Sequence, residues 1–478
     1  MTFRRSVAAL FVCVACLTCA GRPGFAEDDF PYPQPLFLQD APWGAAFDAL
    51  HAKLSAEYAY TDWKGIDWAG LYGRFRPRIA AAESAGDEEA YYTALRGYAF
   101  SIPDGHIIMG AGRMAEIGAQ KLAGGFGFTI ARLFDRRVIV NYVVPGSAAA
   151  AGGLKRGAEV IAWNGEPVRR ALSQTSIVWR PESDGIATRD HLRLDQLRYL
   201  VRAPVGARAV LTFRNRGEQR VRRLRLAAVD DRGDGLLRSY LAAMNFSDAL
   251  VEHRVLGERV GYVRVQSERD AVVEEFAAAL TDLLAQGVRR LVLDLRGNIG
   301  GSDDMAAALA GFFHRQPRFY EYQSFYNTET GRYERHTTND ASETVDHISI
   351  TPHTPYFGGR VVVLINPGTI SSGEGVALGL KRSVKAKLLG FYGTNGSFGM
   401  VCQAAILPGP TLSMYPCGRS LDKDGVIQLD SRRGKGGVQP DIRLRLSERA
   451  AINLGRGVDV ELGAALRALG NDRLWPQR

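Results

Sequence analysis

The chain has 478 residues, 46% of them hydrophobic and 23% charged, a balance that excludes a disordered or coiled-coil protein and allows two or three domains with a substantial core. Its formal charge of +9 is carried mainly by arginine, and no stretch concentrates it into the basic stripe a nucleic-acid partner requires, so nucleic acid is set aside.

The first 26 residues read as an export signal. Arg4 and Arg5 precede the apolar run Val7–Leu17, and Gly24-Phe25-Ala26 has the small-x-small pattern of a cleavage site. Cleavage after Ala26 removes Arg4, Arg5 and Arg22 and leaves 57 basic against 51 acidic residues, a charge of +6. The run is too short to span a bilayer, and no later segment approaches about 20 apolar residues, so no transmembrane segment is expected. A periplasmic or secreted protein follows. The alternative is a lipid anchor cut before Cys16 or Cys19, although the preceding residues fit a lipobox poorly.

Residues 27–115 are expected to be helical. AAFDALHAKLSAEYAY and EEAYYTALRGYAFSI carry apolar residues at three- and four-residue spacings, and the second run stops at Pro103-Asp104-Gly105-His106. From 116 to 230 short β-rich stretches take over. GGFGFTIARL, then RVIVNYVVPGSAAAAGGLKRGAEVIAWNGEPV, then VGARAVLTFRNRGEQRVRRLRL resemble a PDZ domain, with a helical insertion near 169–201. The resemblance implies that Gly125, Phe126, Gly127 and Phe128 form a carboxylate-binding loop that receives a peptide as an added strand.

Between 240 and 450 strands and helices alternate, which calls for an α/β layered core. RVGYVRV, RLVLDL, RVVVLI and KLLGF read as strands. DAVVEEFAAALTDLLAQG reads as an amphipathic helix, and SDDMAAALAGFF as a helix capped by Ser302. A polar, aromatic-rich stretch at about 315–358 breaks the alternation and is expected to be a surface hairpin or lid. Residues 451–478 form a C-terminal tail, and no internal repeat is evident. The mature chain keeps two cysteines, Cys402 and Cys417, at the ends of CQAAILPGPTLSMYPC. In an oxidising compartment they read as a disulfide, the alternative being two separately buried thiols.

In NPGTISSGEGVALGL, Ser371 lies between an apolar strand and a helix, where a hydroxyl either caps the helix or presents its oxygen to a cleft. LVLDLRGNIGG, VVVLINPGTISSGEGVALGLK, LLGFYGTNGSFG and GVQPDI, in that order after the PDZ-like module, resemble the tail-specific or C-terminal-processing serine proteases of peptidase family S41, which include the tricorn core protease. The resemblance implies a crotonase- and ClpP-like layered α/β core and a Ser371 nucleophile. It also implies oxyanion donors from Ser372 and the Gly300-Gly301 turn, and a peptide or unfolded-protein substrate. No metal or other cofactor is implied, because no HExxH, CxxC or carboxylate triplet with ligand spacing appears.

One branch of that family takes its base from a lysine in a GEPTxGKG-like stretch. This chain reads GFYGTNGSFG there, with no lysine between Lys387 and Lys423. The tricorn-like branch uses a histidine in a short (D/S)-(G/S)-H motif before the PDZ domain, which Asp104-Gly105-His106 matches, so His106 is the expected base. The branch's glutamate before GVxPD has no counterpart in LDSRRGKGGVQPD. Asp430 is the nearest carboxylate and the candidate third member, with Asp104 able to hydrogen-bond locally instead. The competing function is a catalytically inactive relative that binds peptides through its PDZ groove.

Overall fold

The computed structural model describes residues 30–231, 249–257, 259–340, 343–383 and 385–470. The expected leader, residues 1–26, lies outside the described residues, as do residues 471–478 of the C-terminal tail. Among the described residues no helix is long and apolar enough to cross a membrane.

The centre of the molecule is a six-stranded sheet ordered Val251–Leu256, Val260–Val265, Arg290–Asp294, Arg360–Leu364, Ala386–Gly390, Ile442–Arg443, parallel except for its first strand. Its two central strands are apolar at consecutive positions, Leu291–Leu293 and Val361–Leu364, because both faces are covered. Leu291, Leu293, Val361 and Val363 point to one face, under the helices Val272–Ala285, Asp303–Gly311 and Ser372–Lys381. Val292, Val362, Leu364 and Leu389 point to the other, under the helix Val460–Gly470. Ser302 caps its helix as the sequence requires, accepting from the Met305 N–H.

The pairing Arg290↔Arg360 through Asp294↔Leu364 sets the carboxyl ends of two neighbouring strands level. The turn after Asp294 and the turn after Leu364 therefore leave the sheet side by side, where open α/β sheets build their binding sites.

Within the stretch 315–358 the expected hairpin is present, Arg318–Asn327 with Arg332–Arg335, but its first strand is interior rather than on the surface. Arg318–Asn327 is one ten-residue strand paired with Arg332–Arg335, Ile348–Ile350 and Gly418–Leu421, and Tyr320 and Phe325 are buried. Its polar positions deceive because they satisfy one another inside. Buried Glu321 accepts from Ser420 Oγ, and from Gln323 Nε2 at 2.8 Å.

The helices Trp43–Glu57, Trp68–Ala85 and Glu88–Ala99 pack around Phe47, Leu50, Tyr91 and Leu95. They join the core through a four-stranded sheet in which the hairpin Val401–Leu407/Thr411–Pro416 is held between Leu36–Phe37 and Ile108–Gly110. That sheet tethers the chain immediately after His106. Cys402 and Cys417 are joined by a disulfide across the base of the hairpin, with Cα atoms 5.6 Å apart. The bridge closes a loop of 15 residues, for which chain entropy alone gives about 3 kcal/mol. Cys402→Ser/Cys417→Ser is expected to lose about 2–3 kcal/mol, read as a urea midpoint below that of the oxidised wild type. An unchanged midpoint would mean the hairpin is held by its packing alone.

The PDZ-like part is a sheet ordered Arg222–Ala227, Arg208–Arg214, Glu159–Trp163, Val138–Val143, Phe128–Arg132, with the helices Val168–Gln174 and Arg189–Leu200 beside it. Between those two helices, residues 175–188 run out to the helical part. The Met109 N–H donates to Ser183 O at 2.9 Å and the Gly185 N–H to Ile107 O at 2.8 Å.

Candidate active site

Ser371 ends the turn after Leu364 with φ 59° and ψ −138°, a left-handed conformation that a residue with a Cβ adopts only under constraint. It stands at the start of the helix Ser372–Lys381, yet its side chain makes no capping hydrogen bond. The helix start is closed instead by its carbonyl, which accepts from the Glu374 N–H at 2.8 Å. The hydroxyl is thus left for other chemistry, at the positive end of a helix.

The neighbouring turn is shaped by buried Asn298. Its Nδ2 donates to Val265 O (3.1 Å) and Glu268 Oε1 (2.7 Å), and its Oδ1 accepts the Gly300 N–H (2.9 Å). Burial pushes the Glu268 carboxyl up to about 8. Gly300 has φ +81°, and a Cβ there would collide with the Ser371 Cβ and come within 3.0 Å of its Oγ, so only glycine lets the two turns touch. The Gly300 N–H is spent on Asn298. The Gly301 and Ser372 N–H groups make no hydrogen bond among the described residues. Ser372 Oγ donates to Gly301 O at 2.8 Å and fixes the spacing between the two groups.

Glu374, one helical turn on, is fully buried and grips the loop Thr394–Ser397. It accepts from Thr394 Oγ1 (2.5 Å), the Gly396 N–H (2.8 Å) and the Ser397 N–H (2.9 Å). Burial pushes its carboxyl up to about 8 against the pull of those donors. Matching the Thr-x-Gly of GEPTxGKG to Thr394-Asn395-Gly396 places Ser397 where the lysine would stand. Ser397 connects the site: its carbonyl accepts the Ser371 N–H at 3.0 Å and its Oγ accepts the Gly105 N–H at 2.7 Å. The loop carrying His106 is therefore held to the turn carrying Ser371 by two hydrogen bonds through one residue.

His106 is 5% exposed, and its Nδ1 has no hydrogen-bond partner among the described residues. Its main-chain N–H donates to Asp104 Oδ1 at 2.9 Å. Burial, with a smaller push from the Lys64 charge, lowers its pKa to about 4, and the Asp104 charge opposes both. Behind it lies a buried ion cluster. Asp104 Oδ2 accepts from Tyr58 Oη (2.7 Å) and Lys64 Nζ (2.8 Å), and Lys64 reaches Asp430 Oδ1 at 3.3 Å. Burial works against the Asp104 charge, but Lys64 and His106 hold its carboxyl below the usual range; burial lifts Asp430 to about 6. Asp430 joins this cluster through Lys64 and through the Phe398 N–H, which donates to its Oδ2 at 3.1 Å. Asp104, two residues from His106, is the carboxylate that touches its backbone. Sequence reasoning passed over Lys64 and Tyr58 because nothing local marks a lysine at the end of a four-residue helix, Thr61–Lys64, as buried.

The sequence-predicted carboxylate loop is packed within the PDZ-like part. Phe126 and Phe128 are buried against Trp163, with ring centroids 5.1 and 6.2 Å from it. Gly125 pairs with Arg202 and Val229 in a small sheet. Phe128–Arg132 is the sheet edge where a peptide would add, and Leu446, Ala451, Leu454 and Tyr392 lie beside it. They leave a cavity of ≈ 30 Å³ between the edge and the helix Arg189–Leu200. That volume admits about one water.

Residues 259–444 match the peptidase family S41 model, and residues 116–178 match the PDZ domain. A probable CtpA-like serine protease of Staphylococcus haemolyticus (strain JCSC1435) is 26% identical over 198 residues, which span 41% of this chain but only 36% of that relative. Among solved structures, mature CPAF superposes with a TM-score of 0.61 at 16% identity, over 90% of this chain and 98% of its own. The structure of mature CPAF complexed with lactacystin gives 0.59, also at 16% identity, over 90% and 99%. At such identities the likeness is one of fold.

Proposed function

We propose that this chain, in which a PDZ domain precedes a serine peptidase core of family S41, hydrolyses peptide bonds of peptides or unfolded proteins through an acyl-enzyme on Ser371. The observation that carries the reading is the Ser371 turn, a strained, uncapped serine at a helix N-terminus with the N–H groups of Gly301 and Ser372 beside it. In the reaction Ser371 Oγ attacks the scissile carbonyl while His106 takes its proton, and Gly301 and Ser372 donate to the developing oxyanion. The protonated imidazole then gives its proton to the leaving amine, and water attacks the ester by the same route in reverse. Gly300 supplies room rather than a donor. Asp104 supplies the negative charge that steadies the imidazolium, with Asp430 sharing Lys64 behind it. Export through the N-terminal segment belongs to the same proposal.

The test is hydrolysis of an internally quenched peptide and of an unfolded protein by the purified mature chain; no cleavage of either would favour the inactive, peptide-binding alternative. The base assignment has its own pH signature. Burial depresses the His106 pKa from 6.5 to about 4, so the imidazole is neutral and able to accept a proton throughout the neutral range. The acid limb of kcat/KM is expected near pH 4 instead of 6.5, because that limb reports the free enzyme's base. The same depression makes the neutral form part of the folded state's stability, fully present above pH 6.5 and lost as pH falls through about 4. His106→Ala is expected to cost about 10²–10⁴-fold in kcat/KM at neutral pH. Full turnover in that variant would place the base elsewhere.

A further inference from the structure

Beside the Thr394–Ser397 loop lies an open cavity of ≈ 410 Å³ lined by Arg189, Arg432, Arg433 and Lys435. Four cations converge there, and none of them forms an ion pair among the described residues. The carboxylate next to them in sequence, Asp190, is already engaged by Arg443 at 3.2 Å and Arg193 at 3.6 Å. All four are exposed, and like charges gathered without a protein counter-ion favour binding of an anion among them.

The cluster is built rather than scattered. Arg432 and Lys435 close a tight hairpin, Arg432 N–H to Lys435 O at 2.7 Å and Lys435 N–H to Arg432 O at 3.2 Å. Its two central residues, Arg433 (φ 56°) and Gly434 (φ 74°), are both left-handed, the pattern of a turn whose first position favours asparagine or glycine. Arg433 stands against that preference. Arg432 is held over the Trp63 ring at 4.9 Å, and the Arg189 N–H donates to Gly434 O at 3.0 Å, which ties the second element to the hairpin. The hairpin is joined to the site by the Ser431 N–H, which donates to Gly396 O at 2.8 Å; the next residue, Ser397, bonds Ser371.

We infer that this pocket binds carboxylates in the substrate segment flanking the scissile bond, so that the enzyme prefers acidic sequences or a nearby chain end. The inference rests on the peptidase reading, but its test does not need turnover. Fluorescein-labelled peptides with a common apolar centre and Glu, Gln or Lys flanks, each as free acid and as amide, are titrated into the full mature Ser371→Ala protein. The Glu peptide is expected to bind about tenfold more tightly than the Gln peptide at low ionic strength, with the gap closing at high salt. In Arg433→Glu/Lys435→Glu the preference should pass to the Lys peptide. Should that variant not fold, Arg189→Glu, on a separate element, must shift the preference the same way. A free-acid Gln peptide that outbinds its amide, and loses that advantage in these variants, identifies the chain-terminal carboxylate as the anion. Equal binding of all the Glu and Gln peptides at low salt, or a Glu preference that survives in folded Arg189→Glu, overturns the inference.

Discussion

Ser371→Ala is expected to lower peptide turnover by at least about 10⁴-fold and to abolish labelling by a fluorophosphonate probe. Ser372→Ala should keep the label. That second change removes only the 2.8 Å hydrogen bond to Gly301 O, so it should cost about 1 kcal/mol of positioning, a five- to tenfold loss. The two serines are thus separated by outcome. A third variant exposes the physics of the turn. At φ 59° and ψ −138° a serine carries strain of order 1–3 kcal/mol, and glycine does not. Ser371→Gly should therefore be inactive yet no less stable than the wild type, and about 1 kcal/mol more stable if little of the strain is offset by glycine's greater chain entropy. A clearly destabilised Ser371→Gly would mean that the hydroxyl holds the turn, and the case for a reserved nucleophile would weaken.

The layered α/β core was legible because its signals are local. RLVLDL and RVVVLI are apolar at consecutive positions, which is what two covered faces demand, and the helices between them carry one apolar stripe. The approach of Gly300 to Ser371 then follows from parallel pairing of neighbouring strands, without further information. Asp104 and Asp430 were read as candidate carboxylates beside His106, but the buried Lys64 that joins them was not. Lys64, Asp104 and Asp430 come from three distant segments, and 367 residues separate Trp63 from the Asp430 carbonyl to which it donates. Each of these residues looks like surface when read alone, because burial of a charge is decided by partners that arrive from elsewhere. The strand Arg318–Asn327 misled for the same reason: Glu321 and Ser324 are buried beside polar partners that its own segment does not announce.

Lys64→Met is expected to cost about 3–5 kcal/mol of stability. The side chain is 1% exposed and lies between two carboxylates at 2.8 and 3.3 Å. Methionine fills comparable space, so the loss measures the charge rather than a void. Without the ammonium, Asp104 and Asp430 face each other unpaired in a site that burial already makes hostile to their ionised forms. The folded-state pKa of Asp104 must then rise above the unfolded value of 3.8, and that of Asp430, already about 6, must rise further. A group with a raised folded pKa stabilises at low pH and loses that contribution as pH climbs through it, so the deficit of Lys64→Met should widen from pH 5 to pH 8. Adding Asp430→Asn should recover part of the loss, since Asp430, lifted to about 6 even beside Lys64, is the member that sheds its charge more readily. The two changes should be far from additive, as expected of partners in one buried cluster. Activity reports the same cluster differently. Asp104 Oδ1 anchors the His106 N–H at 2.9 Å, so a displaced Asp104 misplaces the base, and kcat of the folded fraction should fall about tenfold to a hundredfold. A variant as stable as the wild type at pH 8, with kcat unchanged, would show that Lys64 is a bystander and that His106 is positioned by Ser397 and the strand Ile108–Gly110 alone.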